Sequence, residues 1–113
     1  GSRKYPRRKE AEHMPFNQFT PRNFTVDAVQ MYAPDMPGIY GISNAREWLY
    51  IGETDNIRGS LLNHLHEINT KLMKREPTGF VFEVCDAARR AGRQERLLNE
   101  YGPACNRQEV PQP

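Results

Sequence analysis

The chain has 113 residues, a formal net charge of +2 and a hydrophobic fraction of 37%. That length suits one domain with a modest core. No apolar run reaches the roughly 20 residues that a membrane-spanning helix needs, and the N-terminus lacks the apolar core of a signal peptide. The sequence therefore predicts a soluble, cytoplasmic protein. Cys85 and Cys105 have no metal-ligand spacing and are predicted to be free thiols.

Residues 1–36 are interpreted as a basic, proline-rich arm, of which residues 1–2 are an expression scar. Its N-terminal cations are Arg3, Lys4, Arg7, Arg8 and Lys9. These cations suit phosphate binding through counterion release and equally suit a solvated tail. Three phenylalanines indicate that part of the arm packs against the core: Phe16, Phe19 and Phe24.

The stretch from Gly38 to Gly52 predicts a β-hairpin with a polar connection over residues 43–47. Both strands carry a tyrosine, Tyr40 in the first and Tyr50 in the second. The two phenols point the same way if the register places them opposite each other. A slip of one residue would put them on different faces.

Helices and one further strand are predicted after the hairpin. Apolar spacing predicts a helix over about residues 55–73, and alternation predicts a strand over 80–85. Asp86 and Gly102 are the expected limits of a helix over 87–101. The order β-β-α-β-α predicts an α+β domain, a small three-stranded, mostly antiparallel sheet flanked by helices, over residues 37–107. Residues 108–113 form a predicted C-terminal tail.

Glu95 is the first candidate for chemistry. It shares a helix face with Ala88, Ala91 and Leu98. A carboxylate in an apolar stripe needs a positive partner, and a hard cation such as Mg²⁺ is one. The alternative is a surface glutamate paired with a neighbouring arginine, which the spacing alone favours.

Tyr40, Tyr50 and His64 are further candidates. A phenol has a pKa of about 10 and is a poor base in water, but a metal-polarised water or a cation makes its proton easier to lose. Strand tyrosines are also ordinary packing residues, and a helix histidine is often hydrogen-bonded locally. The residues by themselves leave both interpretations open.

The order of these residues resembles one known family. The carriers of the resemblance are Gly38-Ile39-Tyr40, Tyr50-Ile51-Gly52, a helix with His64, then Glu95 and Pro103-Ala104-Cys105-Asn106. Together they resemble the GIY-YIG nuclease domain, over about residues 37–106. The resemblance implies an endonuclease that hydrolyses DNA phosphodiesters with a divalent metal.

The resemblance also implies roles for individual residues. Tyr40 would be the general base or would orient the attacking water, and Tyr50 would support it. His64 would contact a phosphate or position Tyr40, and Glu95 would bind Mg²⁺ (or Mn²⁺). Two residues would support the site, Gly52 and Asn106.

Ser60 departs from the family pattern, because the resemblance implies an essential arginine at this position. Arg58 is two residues earlier, about 200° around a helix, and is interpreted as a phosphate contact. A guanidinium stabilises charge on nonbridging phosphate oxygens, whereas serine offers one neutral donor, and the loss costs about 3 kcal/mol or more. The chain is therefore predicted to cut weakly or not at all, whether Ser60 is engineered or natural.

An inactive module that binds nucleic acid or a protein is the alternative function. A stripe of arginines on the last long helix predicts contacts to the DNA backbone without sequence readout: Arg89, Arg93 and Arg96. The same stripe would also serve as a solvated helix face. DNA is the predicted partner.

Overall fold

The computed structural model describes residues 21–108. The elements in chain order are β1 Arg22–Asn23, α1 Val26–Tyr32, β2 Gly38–Ser43, β3 Trp48–Thr54, α2 Ile57–His66, α3 Lys71–Lys74, β4 Gly79–Val84, α4 Ala87–Tyr101 and α5 Ala104–Gln108. Several predicted features lie outside the described residues: the N-terminal cations, Phe16, Phe19 and nearly all of the predicted tail. No helix among residues 21–108 has the length and apolar character needed to cross a membrane.

The sheet is antiparallel throughout and has four strands in the order β1-β4-β2-β3. The α+β prediction is confirmed, but three strands were expected. The fourth is the short β1, in which Arg22 pairs with Phe80 and Asn23 with Gly79. Two residues carry no detectable period-2 pattern, so this strand could not be predicted from the sequence.

Part of the predicted arm, residues 1–36, packs against the core. Phe24, Val29 and Ala33 are all buried in the core. Helix α1 is capped by Thr25, whose side chain accepts a hydrogen bond from the Ala28 N–H. The burial of Phe24 confirms the prediction that this part of the arm packs on the core.

The single helix predicted over 55–73 is two helices, α2 and α3. Helix α2 ends at His66, and Thr70 then caps α3 by accepting a hydrogen bond from the Met73 N–H. Ile68 lies inside the predicted helix, but it is 66% exposed in the turn between α2 and α3. The polar turn and the threonine cap therefore outweigh the apolar periodicity.

Two hydrophobic clusters lie on opposite faces of the sheet. Alternate residues of the central strand β2 point to different clusters, with Tyr40 and Ile42 in one and Ile39 in the other. The first cluster includes Ile57 and Leu61 of α2, whereas the second includes Leu97 of α4. Helices α2 and α4 therefore pack on opposite faces.

Candidate nucleic-acid site

The two tyrosines of the hairpin lie on one face of the sheet, although their register differs from the one considered. Tyr40 pairs with Gly52, and Tyr50 pairs with Ile42. An offset of two residues leaves both side chains on the same face. Their ring centroids are 5.9 Å apart.

Gly52 brings the phenols together because it has no side chain. A Cβ at this position would lie 2.8 Å from Cε2 of Tyr50 and 2.9 Å from Cζ and Oη of Tyr40. Any larger residue would push the tyrosine rings away. The supporting role predicted for Gly52 thus has a steric basis, the close approach of two rings over the backbone.

His64 completes a cluster with the two phenols, here named the Tyr–His cluster (Tyr40, Tyr50 and His64). Its Nε2 lies 2.8 Å from the Tyr40 hydroxyl. Its ring centroid is 5.6 Å from that of Tyr40 and 5.1 Å from that of Tyr50. The sequence suggested this contact, and the structure contains it.

Burial lowers the pKa of His64 below its ordinary value of 6.5, and the nearby Glu67 carboxylate only partly opposes that effect. The imidazole is therefore neutral at pH 7 and has one acceptor nitrogen. When Nδ1 carries the proton, Nε2 accepts a hydrogen bond from the Tyr40 hydroxyl. That arrangement draws the phenol proton away from its oxygen.

Ser60 lies one turn before His64 on α2, and its hydroxyl does not replace a guanidinium. Its Oγ is 2.6 Å from Oγ1 of Thr54, at the end of β3. The Nε of Arg58 donates to the Ala33 carbonyl at 2.9 Å and anchors α2 to the end of α1. The phosphate contact predicted for Arg58 stays a prediction.

Glu95 does not lie in an apolar stripe, which corrects the argument from spacing. Glu95, Ala88 and Ala91 are all exposed. The side of α4 that faces the sheet instead carries Leu97, which is 0% exposed and packs in the second cluster. The carboxylate of Glu95 points away from that contact and is not held inside the fold.

Gln94 is a site-adjacent residue that the sequence argument missed. Its Nε2 donates to the Ile51 carbonyl at 3.1 Å, directly after Tyr50. The signal was present in the spacing of Arg90, Gln94 and Leu97, which follows one helical stripe. Because Arg90 and Gln94 are polar, this stripe did not appear to be the side of the helix that faces the sheet.

Asn106 supports the same strand. Its Oδ1 accepts a hydrogen bond from the Ile51 N–H at 2.7 Å, and its Nδ2 donates to the Ile51 carbonyl at 3.0 Å. Strand β3 is at the edge of the sheet, so the outward backbone groups of Ile51 have no strand partner. Asn106 therefore braces β3 next to Tyr50.

The predicted arginine stripe divides into exposed and internally paired members. Arg89 is 76% exposed in its side chain, and Arg96 is also exposed. Arg93 instead forms a two-pronged ion pair with Glu83, at 2.7 Å and 2.8 Å. This hydrogen bonding raises the pKa of Arg93, so its guanidinium is a structural cation. Only the first two are presented to a ligand.

Comparison with known proteins was informative at the level of structure. No protein-family profile matches the sequence, and no curated protein matches it significantly. The solved structures do match, among them the GIY-YIG N-terminal endonuclease domain of UvrC from Thermotoga maritima bound to its catalytic divalent cation, magnesium. The identity is 21%, the TM-score is 0.61, and the match covers 72% of this chain and 94% of that one.

This chain has the GIY-YIG endonuclease fold. A point mutant of the same UvrC domain, also bound to its catalytic divalent cation, matches with a TM-score of 0.59 and 21% identity over 69% of this chain and 90% of that chain. The likeness confirms the resemblance at the level of the fold. It leaves the chemistry of the site to be judged from the residues of this chain.

The residues of this GIY-YIG fold do not fit the predicted metal site. Glu95, the expected ligand, is exposed on the helix that packs against the face opposite the Tyr–His cluster. Residues 21–108 contain no group of three or more histidine, cysteine, aspartate or glutamate side chains that could hold a metal ion. The predicted binding of Mg²⁺ or Mn²⁺ by Glu95 therefore gains no support from the geometry.

Proposed function

We propose that this chain is a DNA-binding domain built on the GIY-YIG endonuclease fold, in which phosphodiester hydrolysis is weak or absent. The observation that carries the proposal is the Tyr–His cluster, with the Tyr40 hydroxyl 2.8 Å from His64 Nε2 and Ser60 one turn away on the same helix. The cluster offers hydrogen-bonding groups for a phosphate. Ser60 supplies no cation at this point of the described fold, and the Nε of Arg58 is engaged with the Ala33 carbonyl.

The cluster is suited to hold a phosphodiester. Tyr50 and His64 are half-buried, so part of each residue is open to a ligand while the two rings pack against each other. Phenol and imidazole groups donate to phosphate oxygens, and such contacts position a backbone without reading its sequence. Rigid rings lose little side-chain entropy when the ligand binds.

The cluster is poorly suited to cut. Charge builds on the nonbridging oxygens during hydrolysis, and preorganised donors or cations must stabilise it. Ser60 is engaged with Thr54, and the Nε of Arg58 is engaged with Ala33. The absence of one such contact costs about 3 kcal/mol, which is more than a hundredfold in rate.

Exposed cations on α4 supply the long-range attraction. Arg89 and Arg96 are the exposed members of the arginine stripe, and each phosphate they neutralise releases counterions from the DNA. Their contribution is expected to be independent of base sequence and to weaken as salt rises. Arg96→Ala should reduce the slope of log affinity against log salt by about one.

A matched pair of histidine variants tests the proposal. The affinity for fluorescent duplex DNA is measured by anisotropy at low salt for the original chain, His64→Ala and His66→Ala. His66 is exposed on the same helix, with its Nδ1 2.9 Å from the Leu62 carbonyl. His64→Ala is expected to weaken DNA binding about tenfold, because it removes one charge-assisted contact. His66→Ala should change the affinity little. Equal affinities for all three proteins would refute the role of the cluster.

An active, magnesium-dependent endonuclease is the second candidate, and the intact Tyr40–His64 contact favours it. Nicking of supercoiled plasmid in Mg²⁺ separates the two functions. We expect no nicking by the original chain and tighter DNA binding by Ser60→Arg, which adds a cation one turn from His64. Robust nicking by the original chain would establish the second candidate, and nicking gained only by Ser60→Arg would identify the serine as the cause of the loss.

A further inference from the structure

We propose that the DNA site of this chain operates without a divalent cation, because α4 presents an amide where a metal-binding site would need a carboxylate. The inference rests on the proposed DNA-binding function. It goes further by stating what neutralises the bound phosphate, namely protein donors and exposed arginines. Two features of the fold support it, the orientation of α4 and the partners of the nearby acidic residues.

Helix α4 is oriented by its buried side. Leu97 is fully buried against Ile39, Ile51 and Val81. Gln94 is three residues earlier on the same side and reaches the Ile51 carbonyl. Position 95 is rotated by about 100° from position 94, which turns Glu95 to solvent. The residue of α4 aimed at the strand that carries Tyr50 is therefore Gln94.

The edge of β3 at Ile51 is occupied by neutral amides. Gln94 and Asn106 both donate to the Ile51 carbonyl, at 3.1 Å and 3.0 Å, and Asn106 also accepts from the Ile51 N–H. A hard cation such as Mg²⁺ gives up its water reluctantly and is usually held by one or two carboxylates. Amides engaged with the backbone do not supply that charge.

Two carboxylates near the end of β3, those of Glu53 and Asp55, are already paired with one arginine, Arg90. Arg90 donates to the Thr54 carbonyl and lies 2.8 Å from Asp55 and 3.7 Å from Glu53. The side chain of Arg90 is only 13% exposed. A cation at this point would compete with a fixed guanidinium for the same oxygens. Electrostatics at the edge therefore disfavours a metal ion.

Manganese titration tests the inference directly. MnCl₂ is titrated into the original chain, Glu95→Gln and Gln94→Glu, with free Mn²⁺ measured by electron paramagnetic resonance. We expect no saturable binding of Mn²⁺ by the original chain or by Glu95→Gln. Gln94→Glu should bind Mn²⁺ saturably and at least about tenfold more tightly than either of them. Saturable one-to-one binding by the original chain that Glu95→Gln removes would overturn the inference. A failure of Gln94→Glu to bind would overturn the assignment of position 94.

The DNA experiment separates this inference from the proposed function. DNA affinity of the original chain is measured in Mg²⁺ and in EDTA at equal ionic strength, since salt alone shifts the affinity. We expect the two values to agree within about twofold. Binding that is about tenfold tighter in Mg²⁺ would overturn the metal-free site. Absence of binding in both buffers would refute the DNA-binding proposal, and the manganese titration would still decide the metal question.

Discussion

The two faces of the sheet differ in whether the predicted site residues lie together. On the α2 face, the Tyr–His cluster is assembled with a 2.8 Å contact between Tyr40 and His64. On the α4 face, Glu95 is exposed and the sheet-facing position is Gln94. We propose the first face as the site that holds a phosphodiester, whereas the contacts between α4 and the second face stabilise the fold. Residues that follow the order of a motif along the chain can thus lie apart in space.

Four substitutions would break or sharpen this comparison. The largest effect is expected for Arg93→Ala on the α4 face. Arg93 and Glu83 form an ion pair in which the side chains are 14% and 12% exposed, so truncation leaves a carboxylate buried without its partner. The free energy of unfolding should fall by about 3 kcal/mol in urea denaturation.

Arg96→Ala is the control for that experiment, because Arg96 is exposed on the same helix. It should change the free energy of unfolding by less than about 0.5 kcal/mol. Equal destabilisation by both substitutions would mean that the Arg93–Glu83 pair does not anchor α4.

Gly52→Ala is expected to have the next largest effect, on the Tyr–His face. The added methyl group would lie within 2.9 Å of ring atoms of both Tyr40 and Tyr50. Overpacking should cost about 2 kcal/mol of folding stability and should disturb the tyrosine resonances in NMR spectra.

Gly92→Ala provides the matched control, since a Cβ there meets nothing within 4 Å. Gly92 is inside α4, where alanine is the better helix former, so this variant should be more stable by up to about 1 kcal/mol. A Gly52→Ala protein as stable as the Gly92→Ala protein would show that the rings do not approach the backbone as described.

Most of the fold could be predicted from the sequence, because its signals are local. The hairpin, the Asp86 cap and the end of α4 at Gly102, where φ is +54°, follow from strand alternation, capping and left-handed backbone geometry. Strand β1 could not be predicted, because its two residues are ordered by pairing with β4. The two strands are distant in sequence, and a strand of two residues has no periodicity from which it could be predicted.

The site was predicted only in part. The shared face of the tyrosines could be predicted and the orientation of α4 could not, for a physical reason. The tyrosines share a face because strand geometry repeats every two residues, which holds for any even offset in register. The orientation of α4 depends on which of several weak stripes is buried. Ala88, Ala91 and Leu98 formed an apparent apolar stripe, but its two alanines are exposed, and the contact with the sheet is made by Leu97, Leu98 and Tyr101.

A smaller effect is expected from the titration of His64. Its pKa is lowered in the folded state by burial, so the unfolded chain binds a proton more readily. The free energy of unfolding should therefore fall as the pH drops below about 6.5, until the folded-state pKa is reached. His64→Gln should remove this part of the pH dependence.

Chemical denaturation at a series of pH values checks this prediction, with His66→Gln as the control because His66 is exposed. The control should retain the slope of the original chain. If His64→Gln keeps the same slope, His64 is not the buried neutral imidazole of the cluster.

The smallest effect is expected for Ser60→Ala. The substitution removes the 2.6 Å contact with the Thr54 hydroxyl, and a hydrogen bond of this kind contributes about 1 kcal/mol. DNA affinity should be nearly unchanged, because the hydroxyl is turned towards Thr54. A marked loss of DNA affinity in an anisotropy titration would instead make Ser60 a direct phosphate contact.

The most direct measurement is an NMR titration of the labelled chain with short duplex DNA in Mg²⁺, followed by electrophoresis of the recovered DNA. The account predicts that resonances of Tyr40, Tyr50 and His64 shift in a saturable manner and that the DNA is recovered intact. Cleaved DNA, or shifts confined to other parts of the chain, would contradict the assignment of the Tyr–His cluster as a site that binds a phosphodiester without cutting it.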